Sequence, residues 1–182
     1  YFLKFHKKVE IRLASLVYFC VFTGTNLWLD PLVSTTNQRY IGFSPYKMDP
    51  KFRVSIPTAW RPEPGSILFL LYSKTHEMPV IKVLSQEAFD DRVQTVKNSD
   101  LVPAKKAAIL GSLSMLCREA SVNDQGKLLV PKDLSEKAGI LADSEVTLVG
   151  RGMHFEVWNN ENFNRVLSIE MDQNDEAELG IL

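Results

Sequence analysis

Two short stretches carry the residues best suited to recognition chemistry, Asp49-Pro50-Lys51-Phe52-Arg53 and Asn123-Asp124-Gln125-Gly126-Lys127. Each sets cationic and hydrogen-bonding side chains among residues that favour turns. A cation at such a tip can meet a phosphate, and an arginine fork can meet the edge of guanine in a major groove. Lys51 and Arg53, with Lys47 just upstream, are therefore candidate DNA contacts, and Gln125 and Lys127 are weaker ones. Lysine lacks the planar fork of arginine, so Lys127 would supply charge more than base discrimination. Arg53 also has an internal use, since Asp49 can pair with it across the turn and brace it. The two uses are compatible.

Other reactive residue types do not assemble into a site. His6, His76 and His154 are scattered without metal-ligand spacing. Gly150-Arg151-Gly152 lacks the strand-to-helix context and the following Lys-Ser/Thr of a phosphate cradle, and reads as a hairpin turn. Cys117 lies in an apolar stretch with nothing to activate its thiol. Trp60 and Trp158 read as core or subunit-contact residues, and Asp90-Asp91-Arg92 as a solvated helix face. The chain is thus expected to be no enzyme and to need no metal or cofactor.

The elements that must position the two turns are foldable without disulfides. At 182 residues and 45% apolar content, the chain can bury one core or two small ones. Its two cysteines, Cys20 and Cys117, match no disulfide or zinc framework, which points to a reducing, cytoplasmic setting. The net charge of −1 hides an uneven distribution. Lys4, Lys7, Lys8 and Arg12 outweigh Glu10 and Asp30 before residue 37, whereas Glu170, Asp172, Asp175, Glu176 and Glu178 follow the last apolar periodicity unopposed. We read 170–182 as a solvated acidic tail. The apolar run from Leu13 to Thr23 is shorter than the roughly 20 residues that span a bilayer. Residues 1–37 read as a leader, over-extended or disordered, with a packing element or a targeting signal as the alternatives, and no membrane association is expected.

Between these ends the sequence repeats itself at an offset of 74 residues. Met48 to Pro57 aligns with Val122 to Pro131, Gly65 with Gly139, Val83 with Val157, Glu87 with Glu161 and Phe89 with Phe163. The strands between need a compensated shift of a few residues. Each copy reads as a polar turn, a short strand ending in Pro, a brief helical turn ending at Gly, two strands and a helix. In copy two, Pro131 to Ala138 is expected to be a two-turn helix. Val146 to Val149 and His154 to Trp158 should form a hairpin around Gly150-Arg151-Gly152, where the glycines permit positive φ. Asn159 should open the last helix, with Phe163 and Leu167 inward. In copy one the counterparts are Ile67 to Tyr72, Val80 to Leu84 and a helix from Ser85. Pro103 to about Ser114 reads as a linking helix, and Arg118 to Val122 as the strand entering copy two. The boundaries are 38–100 for the first repeat, 101–116 for the link and 117–169 for the second repeat.

Tyr40-Ile41-Gly42, then Met48-Asp49-x-Lys51-x-Arg53-x-x-Ile56-Pro57-x-x-Trp60-Arg61, and again Gln125-Gly126-Lys127-Leu128-Leu129-Val130-Pro131, resemble the MraZ family of bacterial transcriptional regulators. Val149-Gly150-x-Gly152-x-x-Phe155-Glu156-Val157-Trp158 extends the match, which covers about residues 39–167. The resemblance implies an α+β fold, with two tandem AbrB-like swapped-hairpin repeats forming a pseudo-twofold β-barrel with flanking helices. It further implies a ring-shaped homo-oligomer, nucleoid-associated, that binds double-stranded DNA at repeated promoter elements of the division and cell-wall gene cluster. The chain departs from the pattern at Phe52, where the family has Gly, and at Asn123 and Lys127, where it has Asp and Arg. Ser135-Glu136 stands where a basic residue is usual. These departures motivate an alternative, an AbrB-type ring-forming or antitoxin-like protein-interaction module without strong DNA binding.

Overall fold

The computed structural model describes residues 38–173. The expected leader and most of the expected acidic tail lie outside the described residues. Copy one supplies β1 (Phe43–Lys47), β2 (Arg53–Ser55), a 3-10 turn (Thr58–Trp60), β3 (Leu68–Thr75), β4 (Met78–Ser85) and α1 (Gln86–Asn98). The link is α2 (Pro103–Leu116). Copy two supplies β5 (Cys117–Ala120), β6 (Lys127–Leu129), α3 (Lys132–Lys137), β7 (Glu145–Gly150), β8 (His154–Asn159) and α4 (Asn160–Gln173). The helices start where local chemistry provides for their free N–H groups. Ser85 Oγ accepts from Ala88 N–H at 3.2 Å, and Asn159 Oδ1 accepts from Glu161 N–H at 3.0 Å. Pro103 opens α2, where its missing N–H costs nothing. Pro131 and Ala138, expected inside the short helix of copy two, are its caps.

The larger sheet has six strands in the order β1-β7-β8-β4-β3-β5, and β2 pairs with β6 in a separate ribbon. Exchanging each strand of copy one for its counterpart in copy two reverses that order without altering it, so the pairing pattern has pseudo-twofold symmetry. The copies are interleaved. β1 of copy one pairs with β7 of copy two, and β5 of copy two pairs with β3 of copy one. Neither copy therefore completes its sheet alone. Register fixes the symmetry residue by residue. The pairs Val54↔Leu128 in the ribbon and Lys82↔Glu156 at the centre of the sheet each join residues 74 apart, so copy exchange maps both onto themselves.

One strand breaks the offset. Phe43 pairs with Val149, while Cys117, its counterpart in copy two, pairs with Leu71, so β7 follows β3 by 78 residues and not 74. Copy two takes up the extra four residues before β7 and returns them through a shorter hairpin. In copy one the longer strands turn at His76 and Glu77, both at positive φ (48° and 64°). This is the shift of a few residues that the alignment required.

Three apolar clusters lie on this frame. The largest draws Tyr40, Met48, Val54, Ile56, Trp60 and Leu70 from copy one together with Leu128, Val130, Leu134, Leu148 and Phe155 from copy two. α4 seals Trp158 and Val149 with Phe163 and Val166, and α1 correspondingly seals Leu84 and Phe69 with Ala88. Both expected core tryptophans of copies one and two are buried. The structure refines one expectation and corrects another. Gly152 has the positive φ (74°), but Gly150 does not. Gly150 is small for another reason, since a Cβ there would collide with the Tyr40 carbonyl where Tyr40-Ile41 crosses the hairpin. Glu170 is not in a solvated tail, because α4 continues past it to Gln173 and its carboxylate takes both Nη atoms of Arg151, at 2.8 and 2.9 Å. Among the described residues, no helix is long and apolar enough to cross a membrane.

Candidate nucleic-acid interface

The two turns are built alike from different residues. Asp49 Oδ1 accepts from the N–H of Lys51 (2.8 Å) and of Arg53 (2.9 Å). Asn123 Oδ1 accepts from the N–H of Gln125 (3.1 Å) and of Lys127 (2.9 Å) in the same pattern. Such a side chain holds its own backbone in a turn, which Asp and Asn do equally well. The loops close with Asp49 N–H donating to Arg53 O and Asn123 N–H to Lys127 O, each at 2.9 Å. Both then require one residue in the left-handed region, Phe52 (φ 55°) in copy one and Gly126 (φ 73°) in copy two. Glycine adopts that conformation freely, whereas a phenylalanine is strained by it, on the order of 1 kcal/mol. Phe52 recovers part of this by packing its ring against the main core.

The ribbon locks the turns together. Ile56 N–H donates to Gly126 O (2.9 Å) and Val130 N–H to Phe52 O (2.8 Å), so each copy's strand exit is tied to the other copy's turn. Side chains alternate across a strand. Val54 and Leu128 point into the core, so Arg53, Ser55, Lys127 and Leu129 form the outward face. Lys51 and Gln125 stand exposed on the turn tips that flank this face. Lys47 is exposed at the end of β1, in register with Glu145. The structure therefore gathers Lys51, Arg53, Gln125 and Lys127 on one outward surface, with Lys47 beside it at the entrance to turn one.

Arg53 is not a free fork. Its Nε donates to Asp49 Oδ2 at 2.7 Å, and its Nη2 lies in an ion pair with the same oxygen, also at 2.7 Å. Lys127 Nζ approaches the same oxygen at 3.8 Å. One carboxylate thus braces its own turn and attracts the cation of the other. Its counterpart Asn123 has no charge, so the arrangement is asymmetric although the backbone is not. Desolvation pushes the Asp49 carboxyl up, but the Arg53 side chain, the Arg53 and Lys51 N–H groups and the Arg53 charge outweigh it and hold the pKa at about 2. The bracing role of Asp49 weighed for Arg53 is the geometry found here. Exposed Leu129, where copy one has Ser55, adds an apolar side chain to the surface beside Arg53.

A residue left out of the candidate set also belongs here. Arg61 Nε donates to Ile56 O at 2.9 Å, and its guanidinium lies where a side chain on Gly126 would be. The signal in sequence was weak, because Arg61 is eight residues beyond turn one and faces turn two only through the swap of the copies.

A second polar group occupies the centre of the six-stranded sheet. Glu156 is 2% exposed. It accepts from Arg151 Nε and Trp158 Nε1, each at 3.0 Å, with His154 Nε2 at 3.7 Å and Lys82 Nζ at 3.8 Å. The carboxylate at its centre is buried and engaged by these partners, of which Arg151 and Lys82 are partly exposed. Among the described residues, no group of three or more His, Cys, Asp or Glu side chains is placed to hold a metal. Cys117 is half-buried, and desolvation pushes its thiol up, away from the nucleophilic form.

No family model matches the chain. Three curated proteins described as transcriptional regulator MraZ are similar to it. That of Mycoplasmopsis pulmonis is 26% identical over 117 residues, 64% of this chain and 76% of the relative. That of Alkaliphilus oremlandii is 26% identical over 147 residues, 78% of this chain and 99% of the relative. That of Carboxydothermus hydrogenoformans is 27% identical over 127 residues, 69% of this chain and 84% of the relative. The resemblance read from the duplicated turns is thus a resemblance to MraZ proteins from several bacteria.

Proposed function

We propose that this protein is a transcriptional regulator that binds double-stranded DNA through its paired turns. The observation that carries the reading is the outward face of the β2–β6 ribbon. It sets Lys51, Arg53 and Lys127 on one surface, on loops that the backbone bonds of Asp49 and Asn123 hold rigid. Preordered cations lose little entropy on meeting phosphates. The interleaving of the copies supports the AbrB-like swapped-hairpin barrel that the resemblance implies. Several subunits form a ring, so that weak grips act together on repeated promoter elements of the division and cell-wall cluster. Linked sites of this kind gain avidity without new contacts. The protein works in the cytoplasm, on the nucleoid.

A second reading draws support from two observations. Asp49 already engages Arg53, and Leu129, the register partner of Arg53, puts an exposed apolar side chain on the face. Both suit an AbrB-type module that binds protein more than DNA. Titration of duplex binding with salt separates the two. The DNA reading expects log affinity to fall steeply and linearly with log salt, by nearly one unit of slope per phosphate neutralised. A flat response at any attainable affinity would favour the protein-binding module.

A further inference from the structure

We propose that Arg61 supplies turn two with the guanidinium that its own sequence lacks, and that it holds a DNA phosphate beside Gly126. The inference rests on the DNA-binding reading and identifies how copy two takes part in it. Turn one has Arg53. The position 74 residues later is Lys127, whose ammonium is drawn toward Asp49 and away from its own neutral Asn123. Turn two would be left with exposed Gln125 and the acidic Asp124, and with no cation of its own free for a phosphate. The swap places the segment after β2 against turn two, where Ile56 N–H binds Gly126 O. Five residues on, Arg61 folds back to Ile56 O through Nε and lays its guanidinium over Gly126.

Three details favour a ligand-facing role over a merely structural one. The Nε bond fixes the plane of the group while both Nη atoms remain without a hydrogen-bond partner among the described residues. Arg61 is exposed. Its counterpart in copy two, Ser135, is buried and donates to Ile140 O (3.0 Å), so nothing similar reaches turn one. Each turn then owns one guanidinium, Arg53 from within and Arg61 from the other copy. Gly126 is required twice, by its positive φ and because any side chain would displace the Arg61 head. The guanidinium lies against the loop and does not project from its tip, which suits a phosphate at the groove wall more than a base edge on its floor.

The test is a salt titration of the full chain on a fluorescent duplex of random sequence, read by anisotropy. Arg61→Ala should weaken binding about fivefold at 0.15 M salt and lower the salt slope by about one. Arg61→Lys should keep the slope, because a phosphate contact needs the charge and not the fork. Gly126→Ala strains the turn in either background through its positive φ, but it should lower the slope only in the parent and leave it unchanged in the Arg61→Ala background, since the head it displaces is already gone. Arg61→Ala with an unchanged melting temperature and the parental slope would overturn the proposal, as would a loss that Arg61→Lys does not restore. Salt-independent behaviour of the parent itself would instead defeat the DNA reading, and this inference with it.

Discussion

Replacing Glu156 with glutamine isolates the energetics of the position where copy exchange maps the sheet onto itself. Glu156 and Lys82 are register partners, and the carboxylate also takes Arg151 and Trp158. Burial alone would raise its pKa, but the facing His154 imidazole, the Arg151 guanidinium and the Trp158 N–H reverse that and hold it at about 2, against 4.5 for an ordinary glutamate. Each unit is about 1.4 kcal/mol, so the charged form is favoured by about 3 kcal/mol in the folded state. A depressed carboxylate contributes stability that is fully present above its unfolded pKa and is lost as pH falls through the folded one. The window is therefore from about pH 5 down to about pH 2. Glutamine has the shape of the protonated acid, so Glu156→Gln should cost on the order of 3 kcal/mol at pH 7, discounted somewhat because Arg151 keeps Glu170. In a domain of this size that lowers the melting temperature by roughly 10 °C. Calorimetry of parent and mutant between pH 7 and pH 2 should show the gap closing as the parent is protonated. A mutant within about 0.5 kcal/mol of the parent at pH 7, or a gap that is the same at every pH, would refute the reasoning.

Two glycines give opposite outcomes under the same substitution. Gly150→Ala should destabilise by more than about 2 kcal/mol, because its Cβ meets Tyr40 backbone that cannot give way. Gly111→Ala in α2 opens onto free space and should stabilise by about 0.5–1 kcal/mol. Urea melts of both mutants check this. Arg53→Ala should cost roughly 1–3 kcal/mol on a specific duplex if its fork leaves Asp49 for a base, read well below the somewhat lower melting temperature that loss of the Asp49 brace brings. Parental affinity for that duplex would leave Arg53 with the brace alone. Light scattering at micromolar concentration should return an assembly larger than a dimer, and a 20.6 kDa monomer would remove the multivalent part of the mechanism.

Much of this fold could be read from sequence because the repeat is local chemistry written twice. Asp49 and Asn123 make the same backbone bonds, Gly65 and Gly139 share a positive φ, and Phe89 and Phe163 sit on corresponding helices. Each of these depends on a few neighbouring residues, and spacing reveals it. What spacing cannot carry is which copy a strand pairs with. The pairing of β1 with β7 leaves no mark on the periodicity of either, and with it the crossing of Tyr40 over Gly150 was hidden. For the same reason a helix-period reading ended the last element too early and set Glu170 in a tail, since its partner Arg151 is 19 residues away in a hairpin turn.

The departures from family pattern look different once the swap is in view. Losing Asp at 123 would be a simple weakening of turn two if that turn stood alone. Here the amide keeps both backbone bonds, so the loop survives and only the charge is gone. Removing that charge frees Lys127 to turn toward Asp49, which already holds Arg53. With Asp124 exposed on turn two, the Asp49 carboxylate is the one that sets the electrostatics around Arg53 and Lys127. It fixes the geometry of turn one, partly neutralises one cation from each copy, and leaves Lys51 and Arg61 as the exposed positive charges nearest the two turns. On this reading the two copies divide the work. Copy one provides the rigid fork and the cation that crosses to its neighbour. Copy two provides the glycine that lets the crossing cation approach.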